Sequence, residues 1–226
     1  MARHPSAKPE TPGSGPRDPV RRRLLRGAAG AAVLGAIPLT LAGCTDPPRR
    51  PQFPTLGFSH KTPFLFRAAR VEVRSEYSRP NRPPHVEHLM PLAPDRAAGQ
   101  WAEDRLQTNG DEAALVRFTV HEASVVEKKL TVERGLSGLL KNEQAESYYA
   151  QLDATVEVVD ALTGIALGAA TAKVWRSQTL AESATANERD EMWFALVETL
   201  IGDFDRAMEA RITDHLRDHL VGGPGI

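Results

Sequence analysis

Ten apolar residues recur at spacings of three and four near the C-terminus: Trp193, Leu196, Val197, Leu200, Ile201, Phe204, Met208, Ile212, Leu216 and Leu220. A stripe of this kind predicts one amphipathic helix over residues 186–220, and such a helix must bury a face against something. At 1.5 Å per residue it would be about 50 Å long. A four-stranded sheet is only about 19 Å wide, at 4.8 Å per strand. Two outcomes follow. Either the N-terminal half packs on a sheet while the end frays or Gly202 breaks the helix, or the exposed end, around Ile212, Leu216 and Leu220, meets a partner.

The elements before the stripe indicate what it packs on. Residues 64–77 read as a first strand, because Val71 and Val73 alternate with Glu72 and Arg74. Residues 79–94 hold too many prolines for a helix or a central strand. Their Val86, Leu89, Met90 and Leu92 suggest packing over a domain edge. Asp95 is a candidate N-cap for a helix running to about Thr108 and stopped by Asn109-Gly110. Val116, Phe118 and Val120 mark a strand reaching about Val126. Residues 149–160 and 165–180 form a hairpin around Ala161-Leu162-Thr163-Gly164. The small residues Ala166, Gly168, Ala170 and Ala172 on one face of its second strand would let a helix approach closely. The order is strand, helix, three strands, long helix. It predicts an α+β fold in two layers, with about four mostly antiparallel strands and two helices on one face.

The first 43 residues belong to a different regime. Residues 1–26 are rich in proline, glycine and arginine and cannot bury a core. Residues 27–43, GAAGAAVLGAIPLTLAG, carry no charge. As a helix they would span roughly 25 Å, short of the roughly 30 Å hydrocarbon core. Pro38 interrupts them. They read as the apolar region of an export signal rather than as a membrane anchor.

Leu41-Ala42-Gly43-Cys44 closes this stretch and resembles the bacterial lipobox, in which leucine and two small residues precede a cysteine that receives a diacylglyceryl group. The resemblance implies cleavage before Cys44, lipidation of Cys44, and a membrane anchor. Arg21-Arg22-Arg23-Leu24-Leu25-Arg26 resembles the twin-arginine export signal, with Arg21, Arg22, Leu24 and Leu25 as its recognition residues. Val20 departs from the Ser or Thr usual before the arginine pair, which leaves ordinary Sec export as the alternative route. The organisation expected is therefore a signal peptide over 1–43, a lipidated proline-rich tether over 44–63, one α+β domain over 64–220 and a tail over 221–226. Thr45 follows the cysteine, and resemblance to sorting in enteric bacteria favours the outer membrane over the inner, facing the periplasm.

After cleavage the chain has 183 residues, enough for one core, and about six net negative charges. An acidic balance counts against a nucleic-acid partner. Cys44 is the sole cysteine, so the fold rests on its apolar core rather than on disulfides. His85 and His88 are three apart but surrounded by prolines. His215 and His219 are four apart, with no third ligand evident. No metal, cofactor or catalytic residue is assigned. No GxSxG, phosphate-loop or dinucleotide glycine pattern is present.

In element order the chain is similar to small envelope lipoproteins that accompany transport or outer-membrane assembly machines, such as the auxiliary lipoproteins of lipid-trafficking ABC systems and the lipopolysaccharide-assembly lipoprotein. Trp101 to Leu106, WAEDRL, is similar to the tryptophan-bearing first helix of the ABC auxiliary group. The resemblance implies a non-catalytic accessory lipoprotein with an envelope protein partner. Its expected partner surfaces are Leu136, Leu139 and Leu140, and Ile212, Leu216 and Leu220. A periplasmic lipid or small-ligand binder, using a groove between helices and sheet near Gly168 and Ala170, is the alternative.

Overall fold

The computed structural model describes residues 51–130 and 144–221. It is an α+β fold with two α-helices, a five-stranded sheet and a small two-stranded sheet. The strands are β1 (Phe64–Phe66), β2 (Val71–Ser75), β3 (Leu106–Thr108), β4 (Ala114–Glu122), β5 (Val125–Lys129), β6 (Gln144–Asp160) and β7 (Ala166–Ala181). The helices are α1 (Pro94–Arg105) and α2 (Ala186–His215). Five strands replace the expected four because the second expected strand kinks after Glu122. Both its halves run antiparallel to the same edge of the long β6, and β7 takes the other edge. The sheet is mixed, since β2 pairs parallel to β4.

The expected first strand is two strands. β1 pairs parallel to β3 in the small sheet, whereas β2 joins β4 in the large one. Residues 67–70 carry the chain between them, with Ala68 fully buried in the handover. The expected alternation on β2 is weak: Val73 faces solvent at 49% exposure.

α1 starts at Pro94, with Ala93 as its cap. Proline lacks an N–H that the first turn would leave unpaired anyway. Asp95 does not cap; its carboxylate accepts three hydrogen bonds from Arg79, at 2.6–3.1 Å. The helix ends at Arg105, earlier than the expected Thr108, because Leu106 turns extended and pairs with Phe64. Asn109-Gly110 then turns the chain out of β3, with Gly110 at φ 86°.

Residues 79–94 do pack along an edge. His85 bridges Val126 of β5, and Val86 and Met90 are buried while Leu89 is exposed. One 3-10 turn, Glu87–Leu89, fits among the prolines where no helix was expected.

α2 begins as the sequence suggests. The Thr185 hydroxyl accepts from the Glu188 N–H at 3.3 Å, and the Glu188 carboxylate accepts from the Thr185 N–H at 2.7 Å. This reciprocal pair satisfies two of the N–H groups that a helix start leaves open. The helix is continuous through Gly202. It covers its whole stripe because it runs along the strands and not across them. β6 and β7 have 17 and 16 residues, so each is about 50 Å long at 3.3 Å per residue. Arg176 of β7 reaches Asp203 midway along α2, and Gly168 of β7 lies under Leu216 just past its end. A Cβ added at Gly168 would sit 2.8 Å from Leu216 Cδ2, so the missing side chain lets the chain end settle on the sheet.

The core lies between the sheet and the helices. Trp101 of α1, Phe118 of β4 and Phe204 of α2 meet with ring centroids 5.1–6.3 Å apart. The expected inward faces of β4 and β6 (Val116, Phe118 and Val120; Leu152, Ala154, Val156 and Val158) are all buried.

Candidate functional site

The lipobox and export residues Arg21, Arg22, Leu24, Leu25, Leu41, Ala42, Gly43 and Cys44 lie outside the described residues, as do Leu136, Leu139 and Leu140. The second expected partner surface is overturned. Ile212, Leu216 and Leu220 are 0%, 0% and 3% exposed. After His215 the chain makes a 3-10 turn, and Leu220 bridges Phe66 of β1. The Val221 N–H donates to the Leu65 carbonyl at 2.7 Å, and the Arg67 N–H to the His219 carbonyl at 2.9 Å. The stripe's end is thus stitched into the small sheet and presents nothing apolar. The groove considered between helix and sheet at Gly168 is likewise filled, by Leu216.

The histidine pairs do not assemble into metal sites. His85 Nδ1 lies 3.2 Å from the Glu87 carboxylate. His219 packs beside Gly168. Among the described residues no group of three His, Cys, Asp or Glu is placed to hold a metal ion.

The residues expected to form the second half of a free tether are instead docked. The Phe53 ring stacks on Phe194 of α2 at 4.8 Å. Phe58 is buried, and its N–H donates to Asp104 of α1 at 2.6 Å. Lys61 donates to Asp205 of α2, and the Thr62 carbonyl accepts from Arg105 of α1. This strap, residues 53–62, lies across both helices and ends at β1.

Its anchor is a buried charge cluster. Asp205 is 1% exposed and accepts from Trp101 Nε1 and Arg105 Nε, each at 2.9 Å, as well as from Lys61. Arg105 also donates to Glu209 at 2.9 Å and lies 4.5 Å over the Phe64 ring. Burial alone would raise the Asp205 pKa. Hydrogen bonds from Lys61 and Trp101 and the charge of Arg105 outweigh it and hold the carboxyl below its ordinary value. The cluster joins α1, α2 and the strap, with Lys61 and Glu209 at its partly exposed edge.

A second buried carboxylate, Glu87, accepts from Tyr77 Oη at 2.5 Å and from the Val125 N–H at 2.9 Å. Burial opposes its charge, but these donors prevail and lower its pKa. Burial and the neighbouring carboxylate push the Tyr77 phenol up. The pair ties residues 77–90 to β5.

Two open surfaces among the described residues carry polar or aromatic side chains. One is a cleft of about 280 Å³ between the strap, the start of α1 and Phe194. The other is the outer sheet face, where Glu76, His121, Thr155 and Thr171 form a hydrogen-bonded row with spacings of 2.7–2.9 Å. Tyr149 and Trp175 stack there at 5.7 Å, both well exposed. The row lies on an open strand surface. Sequence reasoning missed the cleft. Its signal was a pair of phenylalanines, Phe53 and Phe58, in an otherwise proline-rich segment, together with Phe194 beside the main stripe. No helix among the described residues is long and apolar enough to cross a membrane.

No protein-family model and no curated protein matches this chain. Among solved structures, the chain is similar to the Xanthomonas campestris protein XCC0632, of the family model DUF330. The identity is 10%, the match covers 70% of this chain and 93% of that one, and the TM-score is 0.33. It is also similar to the PelC dodecamer of Paraburkholderia phytofirmans, at 14% identity over 63% of this chain and 90% of that one, with a TM-score of 0.21.

Proposed function

We propose that this chain is a non-catalytic, lipid-anchored accessory lipoprotein of the bacterial cell envelope, serving a transport or outer-membrane assembly system through a protein partner. The observation that carries this reading is Leu41-Ala42-Gly43-Cys44: a lipobox-like end to a short uncharged segment, bearing the sole cysteine. In this reading residues 1–43 are removed, export follows the twin-arginine route, and the domain faces the periplasm from the outer membrane. Two or more acyl chains on one residue hold a protein stably on a bilayer.

The docked strap supports a closer tether than the proline content alone suggests. With the chain fixed from Phe53 onward, Thr45 to Gln52 remain as the link. At about 3 Å per residue, eight residues reach roughly 25 Å. A partner in the same membrane would lie within that range.

Palmitate labelling in the native bacterium tests the anchor. Label should enter the wild type and be absent from Cys44→Ala. Label persisting in that variant would refute the site. Affinity capture of the lipidated protein from detergent-solubilised envelope, at native expression, tests the accessory role. Recovery of no specific partner would count against it.

A further inference from the structure

Apolar side chains of Phe53, Leu56, Leu92, Ala97 and Phe194 line the cleft beside the strap, together with the polar Thr55, Gln100 and Arg96. Arg96 is the one charged side chain in its lining. The neighbouring Asp95 is already taken by Arg79, and the Gln100 amide by Asp104. Arg96 itself makes no ion pair or side-chain hydrogen bond among the described residues. An exposed, unpaired guanidinium beside apolar side chains suits an amphiphile with an anionic head. Glu191 and Glu198 flank Phe194 along α2 but do not line the cleft. The volume lies just under the roughly 300–1,000 Å³ of sites for drug-sized ligands, which favours one slender chain over a bulky ring system.

The position of the cleft narrows the source. Phe53 forms one wall and stands nine residues after Cys44. At about 3 Å per residue, the cleft is within roughly 30 Å of chain from the lipidated cysteine. We propose that it takes one acyl chain of an anionic phospholipid drawn from the anchoring bilayer, with the lipid phosphate on Arg96. This rests on the reading that Cys44 is lipidated. Occupancy would remove the cleft's own apolar side chains from water, while the chain exchanges one apolar surrounding for another. The guanidinium would select the head.

The test uses the full chain purified from its membrane and reconstituted into vesicles of phosphatidylcholine with a trace of phospholipid carrying a photoreactive acyl chain. The head is either phosphatidylglycerol or phosphatidylcholine. Adducts are located by peptide mass spectrometry, and the same digest gives the mass of the peptide bearing Cys44. The expected result is phosphatidylglycerol adducts on peptides containing residues 53–56 and 91–100. Arg96→Ala should reduce them about tenfold, the effect of losing one charge-assisted hydrogen bond. Ala97→Leu should block them by filling the cleft. Thr55→Trp, from the exposed rim, does the same if the core variant fails to fold. Adducts that are absent, that spread equally over the outer face around Tyr149 and Trp175, or that survive both filling variants would overturn the proposal. A lipidated Cys44 with no cleft adducts sinks the cleft alone. An unmodified Cys44 with cleft adducts sinks the anchor and leaves the cleft standing.

Discussion

Asp205 is the residue on which the helices and the strap converge. It accepts from Trp101, Arg105 and Lys61, which come from α1 and from the strap. Removing one partner of a buried pair strands the other charge away from water, at a cost of about 3–5 kcal/mol. Asp205→Ala is expected to lower stability by that amount, measured by urea unfolding, because Arg105 stays 2% exposed with Glu209 as its remaining carboxylate. The acid response follows from the same groups. Asp205 and Glu87 both have folded pKa values held below the ordinary carboxylate range. Their contribution is present above the unfolded pKa of about 4 and is lost as pH falls through the folded values. Stability should therefore drop steeply below about pH 4, and less steeply in Asp205→Asn measured from its own baseline. Equal slopes in the two proteins would remove Asp205 from this account.

At the scale of elements, the fit of α2 on β7 depends on missing side chains. Gly168→Val would drive a branched side chain against Leu216, where a Cβ alone already stands 2.8 Å from Cδ2. Overpacking of this kind costs about 1–3 kcal/mol, readable as a shift in the urea midpoint. The strap makes its own prediction. Phe58 is buried, so Phe58→Ala should cost about 3–5 kcal/mol if the strap unfolds with the domain. A limited protease would then cut first between residues 53 and 61. Cleavage at an unchanged rate would mean that the strap is not held through Phe58.

These elements also mark where sequence reading succeeded and where it stopped. The α2 stripe, the β6–β7 hairpin and the small residues of β7 were legible because periodicity reports burial directly. The start of α2 near Ala186 was legible from the same stripe, whereas the Thr185–Glu188 capping pair was not read. The split of residues 64–77 was not, because β1 and β2 look alike locally and differ only in which distant strand each one meets. The fate of Ile212, Leu216 and Leu220 was misjudged by comparing helix length with sheet width. The helix runs along strands about 50 Å long, and a chain return to Phe66 covers its end. The strap was hidden by composition: proline content set the expectation, while two phenylalanines and one lysine decide where residues 53–62 lie. The cleft followed from the strap, and its signal was the same phenylalanines together with Phe194 beside the stripe.

At the scale of the whole molecule, a lipid on Cys44, as proposed, would be joined to the docked strap by a short link. A tether of 20 residues would let the domain range far from the bilayer. If Cys44 carries the proposed lipid, a link of about eight would keep α1, Phe194 and the cleft near it. Shortening Thr45–Gln52 by four residues should then weaken partner capture far more than substitutions on the outer sheet face do. Lengthening it with glycine and serine should restore capture in the shortened chain. Capture that is indifferent to link length would argue that the partner is not in the same membrane. All of this depends on Cys44. The most direct measurement is the mass of the N-terminal peptide of the mature protein, purified from bacterial membranes. The account predicts that the peptide begins at Cys44 and carries a diacylglyceryl group. An unmodified Cys44, or a mature chain that still contains residues 27–43, would contradict it.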